Sequence, residues 1–410
     1  MSSDEVVVVG AGVIGLSIAL AAQARGMKVR VIEREAPAAG ASAGNAGAFA
    51  FPDILPLASP RIIRQAPKWL LDPLGPLSVP PRYAHRIAPW MLRFWRASWP
   101  DRLRASTVAQ AAMMQHAQET LEPFLKRNSL IDMLRREGQL QVYEGEREFK
   151  ASLEGWKARE EAGIPFKHLK GDEIAEYQPG LAPRFTHATF TPGWATIDDP
   201  KDYVLALAER FRADGGEIEI ATAEALVPGG VKTSAGLRKG RVVLAAGAFS
   251  HHLARTAGAK IPLETERGYN TTLPDDAFDL RMHITFGGHG FVISRLRSGL
   301  RVGGAVELGG LDLPPNYARA DAMLNKAKAF LPGLKTTGGK QWMGFRPSLP
   351  DSLPAIGPLP GHPEILCAFG HGHLGLTQST ATAEIVADLL DGGKPKIDLQ
   401  AFSPARFSRF

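Results

Sequence analysis

One cysteine, Cys367, stands in a chain of 410 residues, which excludes an internal disulfide framework and a multi-cysteine zinc site and agrees with a reducing compartment. No apolar run approaches the roughly 18 to 20 residues that a membrane-spanning helix needs, and no stretch recurs at a fixed period, so solenoid and propeller architectures drop out. Low-complexity tracts are also missing; apolar residues at 44% and charged residues at 22% describe an ordinary globular chain. The formal charge of +6 comes from scattered arginines without a basic block. Nucleic acid is therefore not an expected partner, whereas an anionic ligand or a membrane surface accounts for the charge equally well. Met1-Ser2-Ser3-Asp4-Glu5 is polar and acidic, the opposite of a basic, apolar secretory leader, and makes a cytoplasmic location the expectation. The length exceeds what one core usually organises and favours two joined domains.

What the sequence does contain begins with Val6-Val7-Val8-Val9, the continuous β-branched run of a strand buried on both faces. Gly10-Ala11-Gly12-Val13-Ile14-Gly15 follows and opens a helical stretch over residues 13–25, with Gly26 as its C-cap. A second strand, Val29-Arg30-Val31-Ile32, ends in Glu33, where a carboxylate can accept hydrogen bonds from a ribose. Gly10 permits a tight turn, Gly12 lets backbone approach a pyrophosphate, Gly15 lets helix and strand pack closely, and the helix N-terminus holds the anion. Strand, glycine turn, helix, strand and acid in this order specify a dinucleotide-binding unit.

The ADP half is common to FAD and NAD, so later features decide between them. The loop Gly40-Ala41-Ser42-Ala43-Gly44-Asn45-Ala46-Gly47 offers amides and a hydroxyl to a second phosphate and a flavin edge. A helix over residues 199–213 and a strand over 217–221 precede Val242-Val243-Leu244-Ala245-Ala246-Gly247, a buried strand ending in tiny residues, which returns the chain to the same sheet. Gly370-His371-Gly372-His373-Leu374-Gly375-Leu376-Thr377-Gln378-Ser379 then leads into an amphipathic helix, with Ile385, Val386, Leu389 and Leu390 on its apolar side. The N-terminus of that helix suits the negative charge of a reduced flavin.

Together GAGVIGLS, VIERE, GASAGNAG, LAAGAFS, GFRPSLPDSLPAIG and GHGHLGLTQS resemble the DAO family of FAD-dependent oxidoreductases, the glycine oxidase and D-amino acid oxidase type, over nearly the whole chain. Residues 66–98 look like the region after the flavin loop in bacterial D-amino acid dehydrogenases. The resemblance implies an α/β and α+β fold, a Rossmann-like FAD domain (1–80, 190–260 and 340–410) interleaved with a substrate domain on an antiparallel sheet (81–189 and 261–339). It implies FAD contacts from Gly10, Gly12, Val13, Ile14, Gly15, Glu33 and Arg34, and from Ala41, Ser42, Asn45, Ala46 and Gly47. Ala225, Ala245, Ala246 and Gly247 would add to them, as would Gly370, Gly372, His373, Leu374, Gly375, Leu376 and Thr377. Non-covalent FAD is expected, because Cys367 sits in a buried-looking strand.

For an amino-acid substrate the carboxylate must be fixed and its Cα–H aimed at flavin N5, which a fixed arginine achieves with two parallel hydrogen bonds. Arg346, in Gly344-Phe345-Arg346-Pro347, matches the arginine that DAO relatives use for this, and would also lie against the flavin. Tyr269, beside Arg267, lies on a strand where relatives place side chains near the substrate; an outward-facing sheet position is the equal alternative. Residues 283–310 read as two antiparallel strands joined at Ser298-Gly299 and resemble the sheet flooring the substrate pocket. Glu307 and His289 are candidate pocket groups there, although a histidine beside glycines is more often a hydrogen-bonded loop residue.

The implied reaction is oxidation of a small D-amino or D-imino acid, of the D-alanine, D-proline or 4-hydroxy-D-proline kind, with electrons passed to quinone or oxygen. Rival readings are a sarcosine or glycine oxidase and a non-catalytic flavin-carrying subunit. Trp69, Trp90, Trp95 and Trp99 interleave with Arg82, Arg86, Arg93, Arg96, Arg102 and Arg104. That pattern suits a peripheral membrane face or, as the commoner case, amphipathic helices packing Trp inward.

Overall fold

A computed structural model describes residues 5–408 except Pro73; the polar leader Met1–Asp4 lies outside the described residues. A six-stranded sheet runs in the order Glu217–Ile220, Lys28–Glu33, Glu5–Val9, Arg241–Leu244, His362–Phe369, Ala355–Leu359, parallel except for the final pair. The valine run is explained by burial on both faces. Val6 and Val8 pack with the helices Val13–Gln23, Pro200–Ala213 and Ser379–Leu390, whereas Val7 and Val9 join Leu226, Val231 and Leu253 on the other side. The C-terminal helix is correspondingly buried on most sides, down to Ser379, Thr380 and Thr382, so it is less amphipathic than its sequence reads.

The second sheet has nine strands. Lys340–Ser348, Glu264–Leu273, Gly299–Glu307, Phe291–Leu296, His283–Phe286, Gln139–Glu144, Phe185–Thr191 and Lys167–Lys170 lie in that order, with Leu77–Ser78 paired to Gly299–Glu307. Helix Ala318–Phe330 covers one face through Met323, Ala327 and Phe330. Residues 283–310 contain three strands: the hairpin turns at Arg297 and Ser298, and His283–Phe286 precedes it, separated by a short turn over Gly287–His289.

Three segments sit elsewhere than the expected boundaries put them. Leu77–Ser78 and Lys340–Ser348, counted with the dinucleotide half, are strands of the nine-stranded sheet, because their ladder partners lie there. Helix Pro100–Arg127, counted with the substrate half, packs Met113, Ala117, Leu121 and Phe124 into the dinucleotide core and reaches the C-terminal helix through Thr120 Oγ1 and Thr380 Oγ1, 2.9 Å apart. Among the described residues no helix is long and apolar enough to cross a membrane.

Candidate active site

A cavity of about 970 Å³ runs from the dinucleotide turn to the nine-stranded sheet. Its first end is built from backbone. Gly10 has φ 111°, and a Cβ there would stand 2.5 Å from the Ala245 carbonyl oxygen; a Cβ on Gly15 would stand 1.9 Å from the Gly10 carbonyl oxygen. Gly15 therefore acts by close packing and does not line the cavity, whereas Gly10, Gly12, Val13 and Ile14 do. The helix at Val13 has no side-chain cap from Gly12; Ser42 Oγ accepts from the Val13 amide at 3.1 Å. Uncapped amides at a helix N-terminus form an anion site. Glu33 accepts from the amides of Ala11 at 2.7 Å and Arg34 at 2.8 Å, which fixes its carboxylate beside the glycine turn. Arg34 lies over the Phe249 ring, 4.3 Å from its centroid. Cavity, glycine cradle and acid fit the ADP half of a dinucleotide.

The middle of the cavity is walled by Ala41, Ser42, Asn45 and Ala46, by Ala245, Ala246 and Gly247, and by Gly372, His373, Leu374, Gly375 and Leu376. The Gly40–Gly47 loop, whose alternative reading was a linker, is clamped. Arg301 Nη1 donates to the Asn45 carbonyl at 2.6 Å and Asn270 Nδ2 to the Gly44 carbonyl at 2.8 Å. His373 Nε2 lies 3.3 Å from Asp53 Oδ2, and Arg159 Nη2 lies 3.2 Å from Asp53 Oδ1. Burial alone would raise the Asp53 pKa, but hydrogen bonds and charge from His373 and Arg159 bring it below the ordinary value.

Besides Gly15, four expected cofactor contacts lie off the cavity. Gly47, at φ 69°, takes its place because a Cβ would meet Leu296 at 2.6 Å, and its amide donates to Asn45 Oδ1. Ala225 pairs with Lys232 in a small separate sheet; the wall is made instead by residues 221–224. Gly370, at φ 86°, leaves room for Leu349. Thr377 Oγ1 accepts from the Ala50 amide at 3.0 Å and donates to the Ala48 carbonyl at 3.4 Å, which makes it a loop staple. The C-terminal helix begins two residues further on, behind the His371–Leu376 segment that lines the cavity.

At the far end the register of Lys340–Ser348 on Glu264–Leu273 sets which side chains share the cavity face. Arg346 lies opposite Glu266, Gly344 opposite Gly268 and Trp342 opposite Asn270. Part-buried Arg346 donates through Nη1 to the Ala305 carbonyl at 3.0 Å and has no carboxylate partner among the described residues. Burial lowers its pKa, and Glu266 opposes that shift. Gly268 leaves space for it, because a Cβ there would stand 2.4 Å from Nη2. Trp342 closes over Gly44 and Gly344, each of whose Cβ atoms would overlap its indole.

Of the other three substrate candidates, Glu307 and His289 lie off the cavity and Tyr269 turns its hydroxyl from it. Tyr269 touches the cavity wall, but its hydroxyl donates to Glu307 Oε1 at 3.2 Å and accepts from the Asn316 amide at 3.0 Å. Glu307 is 4% exposed and salt-bridged to Arg267 Nη1 at 3.1 Å. Strand alternation sends odd-numbered residues of Glu264–Leu273 to the face covered by helix Ala318–Phe330. His289 lies in the turn before Phe291–Leu296, 2.9 Å from Glu144 Oε1 and against Phe330. Residues overlooked by sequence reasoning are Glu266, Asn270, Arg301 and Trp342 on the sheet, with His283 and Trp194, whose rings stack 5.2 Å apart at the wall.

Beyond Ala305 the cavity becomes apolar, bounded by Val306, Leu308, Ile62, Ala66, Trp90 and Phe94. Trp69 and Trp90 point inward, but Trp95 and Trp99 are 49% and 42% exposed, and Leu71 and Leu92 86% and 66%.

A glycine-turn cradle joined by one cavity to an arginine-bearing sheet, mixed where an antiparallel one was expected because His283–Phe286 pairs parallel with Gln139–Glu144 and Leu77–Ser78 parallel with Gly299–Glu307, defines a two-sheet flavin oxidoreductase. The family model for FAD-dependent oxidoreductases, DAO, matches residues 5–389, and the chain belongs to that family; FAD is its cofactor. A D-amino-acid oxidase of Bradyrhizobium diazoefficiens is 33% identical, with 98% of each chain covered. A D-amino acid dehydrogenase of Vibrio cholerae is 30% identical over 95% of this chain and 96% of its own. Among solved structures, glycine oxidase from Geobacillus kaustophilus has a TM-score of 0.79 at 20% identity, covering 98% of this chain and 99% of that one. L-proline dehydrogenase from P. horikoshii has a TM-score of 0.77 at 22% identity, covering 100% and 98%. The chain is an FAD-dependent amino acid oxidoreductase.

Proposed function

We propose that this enzyme oxidises the Cα–N bond of a small or cyclic D-amino or D-imino acid, of the D-alanine, D-proline or 4-hydroxy-D-proline kind. One observation carries the reading: Arg346 presents a guanidinium to the cavity with a single backbone acceptor and no carboxylate partner among the described residues. Three or more N–H donors are left for a substrate carboxylate, and a planar fork binds a carboxylate with two parallel bonds. The named D-amino acid relatives support the D configuration.

Bound FAD supplies the acceptor for the hydride that leaves Cα. The chain's own groups bind and orient. Arg346 fixes the carboxylate, Gly268 keeps the guanidinium in place, and Trp342 covers the site against water. Residues 10–14 and 41–46 hold the dinucleotide, with Glu33 on the ribose. Cys367 is fully buried and His371 bonds Thr382 at 3.0 Å, which supports non-covalent FAD.

The test is anaerobic bleaching of the visible flavin band by D- and L-amino acids, proline analogues and sarcosine. Bleaching by D-enantiomers supports the reading; bleaching by sarcosine alone would establish a glycine oxidase type of enzyme instead. The apolar chamber under helices Pro60–Leu70 and Ala84–Ala97, with Leu71, Leu92, Trp95 and Trp99 outside it, favours quinone as acceptor and a peripheral membrane contact. Failure of the enzyme to bind anionic liposomes at low salt removes the membrane contact.

A further inference from the structure

Glu266 is a buried carboxylate, 4% exposed, on the cavity face directly across the strand pair from Arg346. Ser348, two residues beyond Arg346, donates Oγ to Glu266 Oε1 at 2.6 Å. Among the described residues nothing donates to Oε2 and no cation pairs with the carboxylate. Cross-strand neighbours have Cβ atoms about 4.5–5.5 Å apart, near enough for the two side chains to clasp each other. They do not. The guanidinium instead lies over Gly268 and bonds Ala305, and Glu266 is turned to Ser348. The bare glycine two residues along the strand from Glu266 lets the arginine swing away over it, so a cation and an anion face one cavity with a gap between them. Burying a charge without a partner is costly, and a site that keeps two such charges apart is poised for a ligand that pairs with both.

A free α-amino acid is that ligand, with an anionic and a cationic end separated by one carbon. We infer that Glu266 receives the ammonium group of the substrate while Arg346 takes the carboxylate, which makes Glu266 a specificity residue selecting amino and imino acids over carboxylic and hydroxy acids. The inference rests on the proposed amino-acid reading and adds a second anchor to it. Glu266 and Arg346 also restrict the substrate to one orientation, since swapping the ends would place like charges together.

The experiment compares two ligands on the FAD-loaded enzyme. Propionate carries the carboxylate alone, and its dissociation constant is read from perturbation of the flavin absorption spectrum. The best amino-acid substrate carries both ends, and its apparent dissociation constant is read from the concentration dependence of anaerobic bleaching. Glu266→Gln is expected to weaken the amino acid by about tenfold or more, the loss of one charge-assisted hydrogen bond, and to leave propionate within about threefold. Arg346→Met is expected to weaken both. Equal weakening of the two ligands in Glu266→Gln, or no change in either, would overturn the inference. Glu266→Asp guards against misfolding: drawing the carboxylate back by one methylene is expected to give an intermediate loss for the amino acid and none for propionate, and a loss shared by both ligands counts against the assignment. Wild-type enzyme that no amino acid bleaches sinks the amino-acid reading itself and this inference with it. Wild-type bleaching together with an indifferent Glu266→Gln removes this inference alone.

Discussion

Arg346 is fixed by a strained neighbour: its Nη1 donates to the carbonyl of Ala305 at 3.0 Å, and Ala305 is a non-glycine residue at φ 54°. The pairing of Gly299–Glu307 with Glu264–Leu273 slips at this point, since Tyr269 faces Gly304 while Arg267 faces Glu307. The extra residue is a β-bulge, and bulges beside active sites re-aim backbone groups. Left-handed backbone at a non-glycine residue costs on the order of 1 kcal/mol or more and persists only where surrounding packing enforces it. Here it turns a carbonyl onto the arginine.

Ala305→Val is expected to be destabilising by about 2 kcal/mol, because a β-branched residue fits φ 54° far worse than alanine does. Substrate affinity should fall with it, through the displaced carbonyl. Ala305→Gly keeps the bulge, and its KM should stay near wild type. Thermal melts and KM on both variants check this; a valine variant with unchanged melting and KM shows that the bulge does not position Arg346.

Arg346→Met is expected to lower kcat/KM by about 100-fold or more, near 3 kcal/mol for a lost bidentate carboxylate contact. Arg346→Lys keeps the charge without the fork and should recover only part of that loss. Steady-state kinetics decide, and a lysine variant equal to wild type would show that charge alone is required.

Gly15→Ala places a methyl group 1.9 Å from the Gly10 carbonyl oxygen, so the turn must open. The expected product is folded or partly folded protein without yellow colour, its ratio of visible to ultraviolet absorbance near that of apoprotein. Gly26→Ala is the control: nothing lies within 4 Å of a Cβ there, although φ is 78°, so it should lose some stability and keep its flavin.

Much of this was legible in the sequence because the dinucleotide half is local. Val6–Val9, the glycine turn and Glu33 are consecutive along the chain, and each residue type is dictated by its own backbone or burial. The substrate half was less legible, since its site is made by register between strands far apart in sequence. Arg346 was singled out by its motif and does line the cavity, but the face that Tyr269 and Arg267 take follows from pairing with Lys340–Ser348, which also selects Glu266, Gly268 and Asn270. A period-two reading anchored on Arg346 would have chosen the even positions. His289 and Glu307 were placed by their polar chemistry on a segment that resembles the pocket floor, and the partners that engage them, Glu144 and Arg267, come from other strands or strand ends. Domain boundaries failed where long-range ladders reassign a strand, as at Leu77–Ser78.

Tyr269, Glu307 and Arg267 form a structural cluster behind the sheet. Arg267 is fully buried and also donates to the carbonyls of Gly310, Leu313 and Pro314. Glu307→Ala strips from this guanidinium its only carboxylate among the described residues and should cost about 3–5 kcal/mol. Tyr269→Phe, which loses the bonds to Glu307 and Asn316, should cost about 1–2 kcal/mol, with kcat/KM within about threefold of wild type. Urea unfolding and kinetics on the tyrosine variant separate the roles: a large loss of kcat/KM with unchanged stability would return Tyr269 to the substrate side.

Acid sensitivity should come from buried histidines. Burial pushes His283 and His251 down to about 4 and His371 down to about 3, from 6.5. A base whose folded pKa lies below its unfolded pKa binds fewer protons when folded, so its contribution is fully present above pH 6.5 and is lost as pH falls toward the folded value. The two most buried, His283 and His371, contribute at most on the order of 3 and 5 kcal/mol respectively to that loss. Glu264, raised by burial, acts in the opposite direction as pH falls from its raised folded value toward 4.5, and blunts the slope there. The expected melting temperature is flat from pH 8 to 7 and falls progressively below 6.5. His371→Asn should flatten the fall between pH 6.5 and 5 even if its stability at pH 7 is lower, because the slope counts protons and the level does not. An unaltered slope in both His371→Asn and His283→Asn would place the acid sensitivity in other groups.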